Sequence, residues 1–125
     1  MAKERGFVPG RHRIEDYGGG GFRFAEMSHQ GSILATPSGV RAITITAIAE
    51  IDAAMLDLVL ADPSGVPDLL ILGSGAELVT LPGALRGKLR AAGVGCETMA
   101  TGAAVRTFNM LIDEGRRVAA LLIAV

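Results

Sequence analysis

The sequence predicts one α/β domain whose second half is a run of parallel βαβ units, and three observations carry the prediction. A chain of 125 residues suits a single core. From Asp68 onward, short apolar runs alternate with helical stretches in the order strand, helix, strand, helix, strand. The outer two runs, residues 69–72 and 118–125, hold few polar residues, as strands covered on both faces do. Strands separated by helices pair in parallel through right-handed crossovers.

Taken in order, residues 1–13 lack periodicity and carry Gly6, Pro9 and Gly10, which predicts a flexible N-terminal arm before a single domain over 14–125. Residues 14–17 and 22–24 read as short strands, joined by four glycines in a tight connection. Residues 31–36 and 40–47 form a hairpin about Pro37, Ser38 and Gly39, with Ile43 and Ile45 alternating against Thr44 and Thr46. The first half is thus a meander of short strands. Ile51, Met55, Leu58 and Val59 recur at helical spacing, with Glu50 and Asp52 at the start and Pro63 and Gly65 beyond the end. After the apolar run at 69–72 come a helix over 82–92, a strand over 95–99, a helix over 102–114 and the final strand.

Half of the residues are apolar, but aromatics are only 4% and Trp is absent, so Leu, Ile, Val and Ala must fill the core. Twelve basic residues against thirteen acidic ones leave no positive field for gathering phosphates, which argues against nucleic acid as a partner. Cys96 stands alone, so no intrachain disulfide forms and a reducing cytoplasm fits; on a strand with no basic neighbour in sequence it reads as a small buried hydrophobe. No segment reaches the ~20 apolar residues that span a bilayer. His12 and His29 lack metal-ligand spacing, and Ser74 is not set in a nucleophile elbow. These patterns predict no catalytic residue, no metal and no cofactor.

The candidate ligand site lies where the first parallel strand ends, at Gly73, Ser74 and Gly75, because open α/β sheets bind ligands at such ends. A dinucleotide fingerprint fails there: Leu78 replaces the third glycine, and the helix starts about seven residues late. On the helix over 102–114, Ala104, Val105, Phe108, Leu111 and Ile112 form an apolar stripe, flanked by Gly102, Arg106, Asn109 and Asp113. A cation early in a helix opposes the dipole, so Arg106 suits a nearby anion. Ser74, Arg106 and Asn109 would then hold a small anion or a partner's carboxylate. The alternative is that Arg106 pairs with an internal carboxylate and Asn109 satisfies a loop carbonyl. Arg86, Lys88 and Arg90 read as the solvated face of a helix buried through Leu81, Leu85 and Leu89.

Several spaced blocks resemble one family. They are residues 17–24 (YGGGGFRF), His29-Gln30-Gly31-Ser32, Gly73-Ser74-Gly75 with Leu81-Pro82, residues 99–109 (MATGAAVRTFN), and Glu114-Gly115-Arg116 before the final strand. Across residues 14–125 the chain is similar to a family of unknown function whose mitochondrial member is an assembly factor for respiratory complex I (NADH:ubiquinone oxidoreductase). The resemblance implies a three-layer fold with a mixed sheet and a β-hairpin layer from the first half, and no established enzymatic activity. It also implies protein partners among membrane-complex subunits or assembly proteins, and a cytoplasmic place peripheral to the inner face of the membrane. Family members often carry a Cys just before the position of Arg106; here Val105 stands there. Two functions follow as expectations: a non-enzymatic interaction or assembly-factor-like domain, or a small-ligand binder or enzyme using the crevice near Ser74, Arg106 and Asn109.

Overall fold

The computed structural model describes residues 6–125. Six strands come from the first half: β1 (Phe7–Pro9), β2 (Asp16–Gly18), β3 (Gly21–Phe24), β4 (Met27–Gln30), β5 (Ile33–Thr36) and β6 (Gly39–Ala42). The second half supplies α1 (Ala53–Leu60), β7 (Leu69–Gly73), α2 (Gly83–Ala91), β8 (Gly95–Met99), α3 (Thr101–Asp113) and β9 (Val118–Leu122). A six-stranded mixed sheet runs in the order β1-β6-β5-β9-β7-β8, and β2-β3-β4 form a separate antiparallel sheet.

The expected βαβαβ unit is present: β7 pairs in parallel with β8 on one side and with β9 on the other. β9 also pairs antiparallel with β5, so it joins the parallel half to the hairpin half. The meander therefore divides. The β5–β6 hairpin enters the main sheet, and β2-β3-β4 form the outer layer.

Side-chain alternation along the central strands builds two cores. Leu70 and Leu72 of β7 face Leu56 and Val59 of α1 and Leu89 of α2. Ile71 between them faces Ala104, Val105 and Phe108 of α3 and Phe22 and Phe24 of β3. Both faces of β7 and β9 are thus covered, which is why their sequences are apolar at successive positions. Each fully buried Leu or Ile contributes on the order of 1.5–3 kcal/mol relative to exposure.

Differences from expectation have local causes. Part of the expected arm lies outside the described residues, but Phe7–Pro9 pairs with β6 as an edge strand, helped by Arg41 stacking over the Phe7 ring. β6 ends at Ala42 and β9 at Leu122, short of the expected ends at residues 47 and 125. In α1, which begins after Asp52 with its side chain capping the Met55 N–H at 2.9 Å, Leu56 is fully buried and Leu58 is exposed, so the buried face runs through Leu56 and Val59. The glycine run makes a two-residue turn: Gly19 and Gly20 have φ of 61° and 83°, as a type I′ hairpin requires. β4 has no counterpart in the sequence reading. Its turn is built from Ala25 and Glu26, at φ of 49° and 61°, and neither is a turn residue by composition.

Candidate functional site

The carboxyl ends of β7 and β8 meet the start of α3, and Gly73, Ser74 and Gly75 lie at that junction. A Cβ on Gly73 would stand 3.1 Å from both the Thr101 Cα and the Ala104 Cβ, so glycine is what lets α3 approach the sheet. Ser74 N–H donates to the Met99 carbonyl at 2.9 Å, and Thr101 N–H donates to the Gly75 carbonyl at 2.9 Å. Thr101, fully buried, uses its hydroxyl twice: Oγ1 accepts from Gly75 N–H at 2.9 Å and donates to the Ile123 carbonyl at 2.7 Å. The Ser74 hydroxyl donates to the Glu77 carbonyl at 2.6 Å and accepts from Val79 N–H at 3.0 Å.

These bonds satisfy the loop from within. The N–H groups of Ser74 and Gly75 are already paired, and Ser74 is buried. Ser74 here fixes a loop, and Leu78 and Val79 at its tip are 62% and 47% exposed.

The flank of α3 has a different occupant. Residues 13–17 run along it in the opposite direction: Arg13 pairs with Asp113, Ile14 with Asn109, and the Tyr17 ring covers Gly102. A Cβ on Gly102 would stand 3.0 Å from Tyr17 Cζ, so this glycine makes room for the ring. Asn109 binds the Ile14 backbone at both ends of its amide and is thereby committed to structure. Arg106, on the same flank, is exposed and has no ion pair among the described residues. The five residues of the candidate site thus divide. Gly73, Ser74 and Gly75 share one loop, Asn109 holds the small sheet, and no hydrogen bond among the described residues joins Arg106 to either group.

Cys96 on β8 is half-buried against the α1–α2 core. Burial raises its pKa above the ordinary thiol value; Arg86, on the neighbouring α2, and a hydrogen bond with Thr98 act the other way but do not outweigh it. Glu50 is the opposite case: hydrogen bonds from the N–H and hydroxyl of Thr46 lower its pKa below the ordinary carboxylate value. Three residues central to this architecture were absent from the candidate set: Thr101, Tyr17 and His29. Thr101 directly precedes Gly102 in a helix-start pattern, and Tyr17 adjoins the glycine run. Those local patterns are the sequence signals that could have marked them; His29 has no comparable one.

Comparison with known proteins shows a family and several relatives. Residues 14–123 match a family described as protein of unknown function (DUF498/DUF598). An uncharacterized protein of Rhodobacter capsulatus is 38% identical over 121 residues, covering 97% of this chain and 90% of that one. Among solved structures, one described as an outer membrane protein from Bartonella henselae has 46% identity and a TM-score of 0.84, covering 93% of this chain and 97% of that one. The NMR structure of the Rpa2829 protein from Rhodopseudomonas palustris has 44% identity and a TM-score of 0.81, covering 99% of this chain and 93% of that one.

Proposed function

The chain belongs to the DUF498/DUF598 family, whose function is unknown, and from that membership we propose that it is a non-enzymatic protein-interaction domain of the assembly-factor kind. One observation carries the reading: two large aliphatic side chains, Leu78 and Val79, project from a loop held from inside by Ser74. A loop already ordered loses little entropy when a partner covers it, and burial of its apolar surface contributes about 25 cal/mol per Å². The partner that fits is a protein with an apolar groove for two neighbouring aliphatic side chains. The family resemblance suggests a subunit or assembly protein of a membrane respiratory complex, met from the cytoplasm or at the inner face of the membrane. Among the described residues no helix is long and apolar enough to cross a membrane. The alternative, a small-anion site or an enzyme at the crevice, keeps only the exposed Arg106 in its favour, since Ser74, Gly75 and Asn109 are engaged internally.

The test compares the tagged protein with a Leu78→Asp/Val79→Asp variant in the native cells. A protein retained by the wild type alone is then purified and titrated against both. Binding weakened about tenfold or more, with an unchanged melting temperature, supports the reading. Equal binding, or no protein that distinguishes the two, overturns it.

A further inference from the structure

The two edges of the six-stranded sheet are finished differently. At one edge β1 is three residues long and ends in Pro9, which blunts it against a further strand. At the other, β8 is five residues long, holds no proline, and pairs only with β7 among the described residues. None of its residues is buried, whereas β9 is buried throughout.

The backbone pairing shows which groups of β8 are open. Gly95 N–H donates to the Asp68 carbonyl, and the Met99 carbonyl accepts from Ser74 N–H, each at 2.9 Å. Alternate residues of a strand turn their backbone groups to the same side, so Gly95, Glu97 and Met99 face β7. The N–H and C=O groups of Cys96 and Thr98 therefore point outward, with no backbone partner among the described residues. An incoming strand meets two donors and two acceptors there.

Side chains on this edge differ in charge between the two faces of the sheet. Glu97 stands opposite Ile71 and so lies on the α3 face; it is exposed and has no ion pair among the described residues. Met99 shares that face and accepts a hydrogen bond at its sulfur from the Thr107 hydroxyl of α3. Cys96 stands opposite Leu70 on the α1–α2 face, where Arg86 of α2 is near enough to act on it. A second copy of the chain fits this edge poorly. The antiparallel register that uses the outward groups of Cys96 and Thr98 in both chains sets Glu97 directly opposite the second copy's Glu97. Like charges in that position are destabilising.

We propose that β8 accepts an extended segment of another protein as a seventh strand, with a Lys or Arg opposite Glu97 and an apolar side chain two positions away beside Met99. Backbone pairing supplies the affinity, and the alternate side chains supply the choice of partner. The α3 face selects a basic residue; the opposite face, beside Arg86, disfavours one. The proposal does not depend on Leu78 or Val79.

The probe is the peptide Thr-Val-Thr-Lys-Thr-Val-Thr with blocked ends, titrated to millimolar concentration into the full-length protein while amide resonances are followed by NMR. Shifts centred on Cys96 and Thr98 are expected, with an affinity about fivefold higher than for the same peptide with Glu at its centre. N-methylation of the two threonines that flank the lysine removes the donors that reach β8 and should abolish the shifts. Glu97→Lys, at an exposed position, should reverse the preference between the two peptides. No shift at β8, equal affinities, binding undisturbed by N-methylation, or a preference that survives Glu97→Lys overturns the proposal. So does a protein that dimerises on its own with the Cys96 and Thr98 amides protected from hydrogen exchange, since a second copy then holds the edge.

Discussion

Asn109 holds Ile14 by both ends of its amide: Nδ2 donates to the Ile14 carbonyl and Oδ1 accepts from the Ile14 N–H, each at 2.8 Å. The pair imitates a short stretch of β-ladder between a helix side chain and a passing backbone. It ties the small sheet to α3 at the point where Ile14 enters the core. Asn109→Ala leaves two polar backbone groups beside a buried side chain, so it should lower stability by about 1–3 kcal/mol. Arg106→Ala, one turn away and exposed, should change stability by no more than about 0.5 kcal/mol. Urea denaturation of the two variants checks the contrast, and equal midpoints would show that the amide clamp contributes nothing.

Gly73→Ala should destabilise the protein by about 1–3 kcal/mol, because the added methyl meets the Thr101 backbone and the Ala104 methyl at 3.1 Å, and neither is the free end of a side chain. Gly75→Ala would fail for another reason, since φ there is 102°. The Gly73 contact predicts a displaced α3, visible as shifted amide resonances from Thr101 to Ala104. A wild-type spectrum with a wild-type midpoint would sink the close-approach argument.

Glu26→Gly should raise stability by roughly 0.5–1 kcal/mol. Glu26 is held at φ of 61°, where a Cβ crowds the following carbonyl and glycine has no such penalty. Part of the gain is offset by the larger freedom of glycine in the unfolded chain. Thermal unfolding measures the balance, and a lower midpoint would mean that the glutamate side chain contributes more than its backbone strain costs.

Cys96 should react slowly with thiol reagents at neutral pH, and its rate should climb only above the ordinary thiol pKa of 9.0, since burial raises the folded-state value. The sign for stability follows. The neutral thiol favours the folded state below the unfolded pKa, and that advantage is lost as pH rises through the folded one. Labelling rates across neutral to alkaline pH decide it; a plateau already reached at neutral pH would mean that Arg86 outweighs burial.

The parallel half was legible in the sequence because its signals are dense: apolar runs for the buried strands, and a clean stripe of Ala104, Val105, Phe108 and Leu111 on α3. The α3 flank was legible as a surface of interest but not as to its occupant. Gly102, Asn109 and Asp113 do mark a contact face, and the contact is with residues 13–17 of the same chain. Contacts between residues some 95 positions apart leave no local pattern to read. β4 was illegible because Ala25-Glu26 adopts a conformation that sequence rules reserve for Asn and Gly. His29 has no second ligand near it in sequence; what distinguishes it is an unfilled hydrogen bond, which exists only once the sheet has closed around it.

The order β1-β6-β5-β9-β7-β8 makes β9 the hinge of the whole sheet in time as well as in space. Until residues 118–122 leave the ribosome, the hairpin made first and the parallel pair made next have no strand between them. Each then presents an unpaired edge, at β5 on one side and at β7 on the other. Open edges of this kind invite pairing with another chain. A chain without β9 therefore carries two open strand edges at the place where the finished sheet is continuous.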